Sequence, residues 1–402
     1  MSLTDLPAIS ADPYGPEAIH DPYPLYERIR EAGPVVHLEQ YGVAATARYE
    51  VARAALLDWE TFSSARGVGL ADLKDSEKWP GLKPSGLVEQ DPPNHTVARK
   101  AINTLFTPAQ MRSLQESIER RADELVAELV ERGRFDAYQD LAHDFVMSIV
   151  PDLIGVPEAG RENMIPFSTL SIQASTSPHN DRIREIMSEA AHLREYIETS
   201  SRRENLAAGS MGSLIWELVD EGRIDAELAV KLIRGLLTAG MDTTIYAIVN
   251  AIRSMLEFPD QWRALRDDPS LAQRVADETL RYESVTQTIT RTVNVDTEFF
   301  GARLAEGTKF IVFNSATGRD PDKWGDRANR FDLDGASRGH LGLGFGIHQC
   351  VGQPLARMEI QALFTALATR AGELRAGDGE VELLGVPPLR SWTRLPVEVT
   401  AA

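Results

Sequence analysis

One cysteine, Cys350, lies in a glycine-rich segment that neither a helix nor a strand would favour, GLGFGIHQCVGQPLA from Gly342 to Ala356. A helix predicted to begin near Val351 would bring unpaired N–H groups close to the sulfur, and such groups favour a thiolate. The glycines would let the backbone pass close to a flat group and let N–H groups turn toward the sulfur. A soft thiolate of this kind suits iron.

Three other roles for Cys350 are compatible with the segment alone. A single cysteine is often an inert, buried, small side chain. Cys350 is also a candidate nucleophile, with His348 as its base. A zinc site with His340 and His348 is the third alternative, but it would have too few ligands in the sequence and no second cysteine.

The spacing of the segment closely resembles the haem-binding loop of the cytochrome P450 family, F-G-x-G-x-H-x-C-x-G-x-x-L-A. The sequence departs from the family at the first position, where Leu343 replaces a phenylalanine that packs near the ligating sulfur. The resemblance implies that Cys350 is the thiolate ligand of a haem iron. The aligned positions are Leu343, Gly344, Gly346, His348, Cys350, Gly352, Leu355 and Ala356.

The resemblance extends to AGMDTT, from Ala239 to Thr244, in the predicted central helix. This stretch looks like the family's oxygen-binding segment, in which Ala239 and Gly240 leave room beside the haem. The Thr243 hydroxyl can bond to the Ala239 carbonyl four residues earlier and open the helix locally. Asp242 beside it can pass protons inward. An ordinary central helix with a tolerated glycine is the alternative.

Glu278 and Arg281 in DETLRYES stand three positions apart on one predicted helix face and could form an ion pair. By their position ahead of the cysteine they are similar to the family's E-x-x-R pair, although the same spacing occurs elsewhere, as at Glu27 and Arg30. The resemblance implies a structural role on the cysteine side of the haem, with Arg330 of ANRFD as the third member.

Haem carries two propionates, which need cations or other hydrogen-bond donors. The stretch HTVAR places His95 and Arg99 four positions apart on one predicted helix face, and it resembles the family's propionate-binding helix. Arg291 in TITRT and His348 match two further family positions. A solvated surface charge is the alternative for each residue alone, whereas the resemblance implies propionate contacts for the set.

Part of the chain resembles one bacterial subgroup of the family, whose members oxidise para-substituted benzoic acids, including O-demethylation of 4-methoxybenzoate. An anion in an apolar pocket needs paired donors. Arg234, one turn before Thr238, and Ser85 match two of the subgroup's carboxylate-binding positions. Lys83 stands near a third, and Gly235 replaces a serine; an ion pair to an acidic loop residue is the alternative for Arg234. The similar stretches are FSSARGVGLADLK, DPPNHT, RGLLTAGMDTT and HLGLGFGIHQCVGQPLAR.

The segment LSIQASTSPHN departs from the family, whose members carry aromatic side chains there. Ile172, Gln173 and Ser175 predict a more polar pocket at this point. A monooxygenase of a neutral aromatic or terpenoid molecule is therefore the alternative to one of a benzoic acid. Candidates for the apolar walls of the pocket are Leu87, Val88, Val285 and Ile289.

The apolar patterns predict a mainly α chain with small β regions near 34–48, 286–312 and 376–399. A helix is predicted over 225–257, roughly 50 Å long at 1.5 Å per residue. Because no stretch looks like a linker, we expect one domain, 1–402, with the cytochrome P450 fold and this long helix over the haem. Further helices are predicted near 108–132, 137–154, 160–178, 183–204, 259–267, 270–283 and 351–371.

The chain has 42 basic and 60 acidic residues in 402, a formal charge of −18. This acidity argues against nucleic acid and against an anionic membrane surface as partners. One cysteine forms no internal disulfide, and no run of about 18 apolar residues predicts a membrane span. Because the first residues, MSLTDLPAISADPYGPEAIH, lack the regions of a signal peptide, we expect a cytoplasmic protein.

The resemblance implies a monooxygenase that uses haem b and dioxygen, with Asp242 and Thr243 delivering protons. No flavin or iron–sulfur signature is present, so electrons from NAD(P)H are expected to arrive through a ferredoxin and its reductase. Arg99, Lys100 and Arg357 are candidates for a basic docking patch. The other possibilities are a haem-thiolate peroxygenase or dehydratase, which usually lacks the acid–alcohol pair, a haem-binding sensor without turnover, and a cysteine-nucleophile hydrolase.

Overall fold

The computed structural model describes residues 3–75, 84–176, 185, 188 and 190–402. The fold is mainly helical, as predicted, because apolar residues recur at helical spacing through most of the chain. The first α-helices are α1 (Pro16–His20), α2 (Tyr23–Ala32), α3 (Tyr49–Leu57), α4 (Asn94–Asn103), α5 (Pro108–Arg132), α6 (Asp144–Met147), α7 (Val150–Ile154), α8 (Met164–Thr176), α9 (Ala191–Ser200) and α10 (Met211–Asp220). They are followed by α11 (Ala226–Ala239), α12 (Asp242–Glu257), α13 (Pro259–Asp267), α14 (Ala272–Tyr282), α15 (Asn314–Thr317), α16 (Pro321–Trp324) and α17 (Gln353–Arg370).

The long helix predicted over 225–257 is wrong as a single element. Helix α11 ends at Ala239 and α12 begins at Asp242, so that two residues interrupt the run. The Thr243 hydroxyl donates to the Ala239 carbonyl at 2.9 Å. This bond replaces a backbone partner and opens the helix at the place that the sequence predicts.

Other helix boundaries follow their local signals. At the start of α5 the Gln110 N–H donates to the Thr107 hydroxyl at 3.4 Å, and Gly133 ends the helix with φ 73°. The helix predicted over 137–154 is wrong as one element, because the chain begins it with a π-helical turn, Ala137–His143, and then divides it into α6 and α7. Helices α3 and α10 lie where none was predicted.

The strands lie mostly in the predicted regions. The main sheet has six strands in the order β1-β2-β3-β9-β6-β4, with β2 and β3 forming a hairpin at Gly42 inside the region predicted near 34–48. Strand β5 lies outside those regions and joins the order β10-β13-β5, while β7–β8 and β11–β12 pair separately. The bounds are β1 (Ala8–Ile9), β2 (Val36–Leu38), β3 (Val43–Thr46), β4 (Phe62–Ser63), β5 (Arg134–Asp136), β6 (Thr288–Val293), β7 (Thr297–Phe299), β8 (Ala302–Leu304), β9 (Lys309–Phe313), β10 (Ala371–Ala376), β11 (Glu382–Leu383), β12 (Trp392–Arg394) and β13 (Pro396–Ala401).

The largest apolar core lies among α5, α11, α12, α14 and α17. Every residue from Thr244 to Ile252 is buried, so α12 runs through the centre of the protein. Two smaller cores lie against the main sheet. Asp242, at the start of α12, is buried as well, whereas Thr243 beside it is only partly buried.

By length and composition alone, the span Ala226–Glu257 could cross a membrane. However, 61% of its most apolar window is buried inside the protein, as in the core helix of a folded chain.

Candidate active site

The cysteine loop is fixed by close backbone contacts. Gly346 has φ 70°, and a Cβ there would lie 2.6 Å from the Leu56 carbonyl oxygen, so only glycine fits. The Cys350 N–H donates to the Leu343 carbonyl at 2.8 Å. A Cβ at Gly342 would lie 2.4 Å from the carbonyl of Leu280 in α14, so this helix supports the loop directly.

The Cys350 thiol lies just ahead of the first residue of α17, Gln353. Burial raises the pKa of the thiol, whereas the N–H groups of Gly352 and Gln353 and the positive charge of Arg99 favour the thiolate. The N–H groups turned toward the sulfur are the arrangement that the glycine spacing predicts. The sulfur is thus prepared to be a ligand but needs a cation to become fully ionised.

A group of cationic and imidazole side chains lies beside the loop. Helix α4 carries His95, whose ring centroid is 4.5 Å from that of His348. The Nε2 atoms of both rings are buried without a hydrogen-bond partner within the described chain. Arg291 is only 4% exposed, and its one hydrogen bond to a described residue goes to the Thr290 carbonyl at 2.9 Å.

These charges shift one another's pKa values. Burial, together with the charges of Arg291, His95 and Arg99, lowers the pKa of His348 to about 3. Burial lowers the pKa of Arg291 to about 10. The Asp91 carboxylate lies near this group, 4.0 Å from the Nε2 of His348. Ring nitrogens without a hydrogen bond beside a buried arginine fit the carboxylates of a haem, which would supply further negative charge and acceptors. Arg99, also predicted here, donates instead to the Gln349 carbonyl at 2.5 Å and so holds the cysteine loop.

The zinc alternative is not supported by the placement of His340. Its Nδ1 accepts from the Gly342 N–H at 3.0 Å, and its Nε2 lies 3.2 Å from Asp277. In the described ranges no three residues among His, Cys, Asp and Glu gather as metal ligands. His340 therefore braces the start of the cysteine loop against α14.

The acid and the alcohol of AGMDTT lie at the break between α11 and α12. Asp242 is fully buried, and burial raises the pKa of its carboxyl to about 6, although a hydrogen bond from the Ser168 hydroxyl and the N–H groups of Thr243 and of Asp242 itself favour the ionised form. Its Oδ2 lies 2.7 Å from the Ser168 hydroxyl of α8. Ala239 is exposed at the break, so the space beside the helix is open there, as its small side chain predicts.

The Glu278–Arg281 pair is present and fully buried, with an N–O distance of 2.6 Å. The prediction of Arg330 as the third side chain is wrong. Arg330 contributes only its backbone carbonyl to Arg281, and its half-exposed guanidinium pairs with Asp260. Arg327 takes the place instead, 3.6 Å from the Glu278 carboxylate. The chain turns between these two arginines, so their side chains point to different neighbours.

The predicted carboxylate anchors are only partly gathered. Arg234 on α11 is half-buried, and its guanidinium has no hydrogen-bond or ion-pair partner within 4.0 Å among residues the structure describes. Burial lowers its pKa, while Glu198 and Glu89 at longer range favour the charged form. The Thr238 hydroxyl donates to the Arg234 carbonyl at 3.0 Å. Lys83 lies outside the described residues.

Ser85 is locked to an acidic residue that the sequence did not single out. Its hydroxyl accepts from the Glu89 N–H at 3.1 Å, and its own N–H donates to the Glu89 carboxylate at 2.8 Å. Burial raises the pKa of Glu89, while Lys309 and Arg234 favour its ionised form. The motif is a reciprocal side chain–backbone turn, which an Ser-x-x-x-Glu spacing could have suggested.

The predicted apolar walls differ in burial. Val285 is 2% exposed in the main core, and Leu87 packs against that core. Ile289, in β6, packs against one of the smaller cores. Val88 is 49% exposed, and its place in the pocket wall stays a prediction. Ile172 packs against the main core.

Comparison with known proteins identifies the chain. A profile described as Cytochrome P450 matches residues 164–370. Cytochrome p450 CYP199A2 of Rhodopseudomonas palustris is 39% identical over 398 residues, which cover 99% of this chain and 95% of that protein. The cytochrome P450 monooxygenase PikC of Streptomyces venezuelae is 28% identical over 97% of this chain and 94% of its own. The structure of CYP109Q5 from Chondromyces apiculatus has a TM-score of 0.80 at 28% identity and covers 98% of this chain and 99% of that one. The chain therefore belongs to the cytochrome P450 family and is a monooxygenase of that family.

Proposed function

We propose that this monooxygenase oxidises a para-substituted benzoic acid, by hydroxylation or by O-demethylation, at a haem held by Cys350. The observation that carries the substrate is the half-buried guanidinium of Arg234, which has no close partner in the described chain. A cation taken partly out of water needs an anion beside it. The resemblance to the subgroup that oxidises such acids gives the class of anion.

The residues around the cysteine loop fit a haem. Cys350 would hold the iron, and His95, His348 and Arg291 would hold the two propionates, which the orphaned Nε2 atoms support. When bound, haem supplies the activation of dioxygen, and the thiolate supplies electron density for it. The Leu343 carbonyl, which accepts from the Cys350 N–H, would fix the backbone of Cys350 and thereby the position of its sulfur.

The residues at the helix break would handle protons. Asp242 has a pKa of about 6, so its carboxyl gives and regains a proton near neutral pH. The Thr243 hydroxyl donates to the Ala239 carbonyl, and its oxygen can accept a further hydrogen bond. This acid–alcohol pair supports a monooxygenase over a peroxygenase. A monooxygenase must deliver protons to reduced dioxygen, whereas hydrogen peroxide already carries them.

The substrate carboxylate would lie between α11 and the loop before α4. Arg234 would supply the charge, and Glu89 and Glu198 compete for it only from beyond 4.0 Å. The Ser85 hydroxyl accepts from the Glu89 N–H and can also interact with the Glu89 carboxylate, so it would turn its proton from that carboxylate to the substrate. Lys83, predicted beside Ser85, remains a candidate third donor. The ring would pack against Leu87 and Ile289.

Electrons would come from NAD(P)H through a ferredoxin and its reductase, because the sequence has no flavin or iron–sulfur signature of its own. The docking patch is smaller than predicted. Arg357 pairs with Asp277 at 2.8 Å, and Arg99 is turned inward to the Gln349 carbonyl. Lys100 is exposed and has its charge available to an acidic partner.

A titration of the Soret shift tests the substrate class. Wild-type protein is expected to bind 4-methoxybenzoate roughly 10- to 100-fold more tightly than its methyl ester, because a hydrogen bond to a charged group is lost in the ester. Arg234→Leu should weaken binding of the acid and narrow this gap. Arg223→Leu is the matched control, since it removes an exposed arginine already paired with Glu221 at 3.2 Å.

Equal affinity of the wild type for acid and ester would show that no carboxylate anchor exists. The pocket would then suit a neutral aromatic or terpenoid substrate, with Arg234 paired inside the protein. A preserved gap in Arg234→Leu would instead place the anchor on another residue, with Ser85 and Lys83 the next to be changed.

A further inference from the structure

Two carbonyl groups in the last turn of α11 accept from side-chain hydroxyls. The Ala239 carbonyl accepts from Thr243, the next helix's own residue, at 2.9 Å. The Thr238 carbonyl accepts from Ser168, a fully buried residue of α8. Because the last carbonyls of a helix lack donors within it, both bonds stabilise the break. The second one comes from a different helix.

The same Ser168 oxygen lies 2.7 Å from the Asp242 Oδ2. A serine hydroxyl has one proton, and the Thr238 carbonyl has none to give. If Ser168 donates to Thr238, the bond to Asp242 requires a proton on the carboxyl, which then donates to Ser168. If Ser168 instead donates to an ionised Asp242, the Thr238 carbonyl loses this donor. Both bonds exist together only with the acid protonated.

Burial of Asp242 favours the same state, although the Ser168 hydroxyl would favour the ionised acid if it donated to the carboxylate instead of to the Thr238 carbonyl. Its Oδ1 is buried without a hydrogen-bond partner in the described chain, and burial raises the pKa of the carboxyl to about 6. The titratable groups that interact with it from the described elements are Tyr138 of the π-helical turn and Tyr246 of α12. Burial raises the pKa of both phenols, so neither ionises near neutral pH.

We propose that Ser168 is a positioning residue for proton delivery, which joins α8 to the break in the long helix and holds the Asp242 carboxyl in its protonated form beside Thr243. The chain of donors runs from Asp242 to Ser168 to the Thr238 carbonyl. Loss of the proton forces the Ser168 hydroxyl to rotate and to leave one of its two acceptors. The inference rests on the monooxygenase reaction and not on the benzoic-acid substrate proposed above.

Infrared difference spectra of the haem-loaded protein, recorded without substrate across pH, test this arrangement. The carbonyl stretch that disappears in Asp242→Asn identifies the protonated acid, and in the wild type it should titrate near pH 6. In Ser168→Ala the acid loses its acceptor. The midpoint should then fall by about one pH unit, as expected for one hydrogen bond to the neutral form, and the band should move to higher frequency.

Ser168→Thr keeps the hydroxyl and should restore both the band and its midpoint. Ser254→Ala is the matched control, because it removes another buried serine hydroxyl, bound to the Asn250 carbonyl at 2.8 Å, from α12. If Ser168→Ala does not fold, Ser168→Cys replaces it, with a smaller shift in the same direction. A midpoint that rises or stays unchanged in the Ser168 variant, an equal shift in Ser254→Ala, or an Asp242 that is ionised throughout the range would each overturn the proposal.

Discussion

Two arginines show how differently the two sides of the site are built. Arg281, on the cysteine side, is fully buried, and its guanidinium spends all five N–H groups on described acceptors. Arg234, on the side of the long helix, is half-buried and spends none within the described chain. The acceptors of Arg281 are the Glu278 carboxylate, which takes two bonds, and the carbonyls of Gly318, Ala328 and Arg330.

The two arginines differ in whether the charge of the side chain is already satisfied by the protein. A buried charge with every donor satisfied fixes one geometry, because any movement costs several hydrogen bonds at once. A half-buried charge without a partner costs free energy until a ligand arrives. The cysteine side thus fixes the loop that carries the sulfur, whereas Arg234, the proposed substrate anchor, is left without a partner in the described chain.

The largest effect is expected at Cys350, the predicted ligand of the haem iron. Cys350→His should abolish the long-wavelength Soret band that carbon monoxide gives with a reduced thiolate-ligated haem, because imidazole is not a thiolate. The purified wild-type protein should be red and show this band. Absorption spectra of both proteins make the measurement, and a band that persists in the variant would mean that another residue is the ligand.

The next effect concerns the saturated network. Arg281→Ala should lower the free energy of unfolding by about 3–5 kcal/mol, because the buried Glu278 charge loses its close ion-pair partner and keeps only Arg327, at 3.6 Å. Arg330→Ala removes a half-exposed ion pair with Asp260 and should cost no more than about 1 kcal/mol. Urea unfolding of the two variants compares them. Similar losses of unfolding free energy in the two variants would show that the Arg330 side chain belongs to the network of Glu278 and Arg281.

On the long-helix side, Thr243→Ala should keep haem and substrate binding but divert electrons to peroxide. The variant lacks the hydroxyl at the helix break but loses only one hydrogen bond, so we expect the fold to be kept. The measurement is product formed per NADH consumed, with redox partners supplied. Thr365→Ala is the control, since its hydroxyl makes the same bond, to the Gln361 carbonyl at 2.8 Å, on α17. Coupling that is equal in both variants would remove Thr243 from proton delivery.

The smallest effect concerns an exception on the cysteine side. Glu359 of α17 is fully buried, neither carboxylate oxygen has a hydrogen-bond partner in the described chain, and burial raises its pKa to about 8. Between about pH 5 and pH 8 the native state therefore holds a proton that the unfolded chain has lost, so stability falls as pH rises.

The glutamine of Glu359→Gln cannot ionise. The free energy of unfolding of this variant, relative to that of the wild type, should therefore rise by about 1.4 kcal/mol for each pH unit in this window. Unfolding free energies near pH 6 and near pH 8 measure the gain, with the exposed Glu116→Gln as control. A constant difference between Glu359→Gln and the wild type would show that Glu359 titrates like an exposed carboxyl.

The sequence predicted contacts between near neighbours well. The Thr243–Ala239 bond and the Glu278–Arg281 pair both join residues within four positions, where helix geometry fixes the distance. The cysteine loop was predicted by its glycine spacing, which backbone approach imposes.

Contacts across the fold were not predictable in the same way. Ser168 and Asp242 are 74 positions apart in the sequence. Helical periodicity predicts that both lie on buried helix faces, but it does not predict that they are in contact. Arg327 and Arg330 have equal charge, and the turn between them decides which one faces Glu278. The approach of Glu89 to Arg234 likewise depends on how a loop and a helix pack.

The order of strands in the main sheet has a consequence for synthesis of the chain. Strand β3 pairs in parallel with β9, with Thr46 opposite Val312. At about 5–20 residues per second, a ribosome needs on the order of 10–50 s to deliver β9 after β3 has been made. During that time the β2–β3 hairpin keeps an open edge of N–H and C=O groups, the kind of edge that pairs with other chains. We therefore expect the nascent N-terminal segment to expose this edge until β9 has been made, a stage at which a chaperone would protect it.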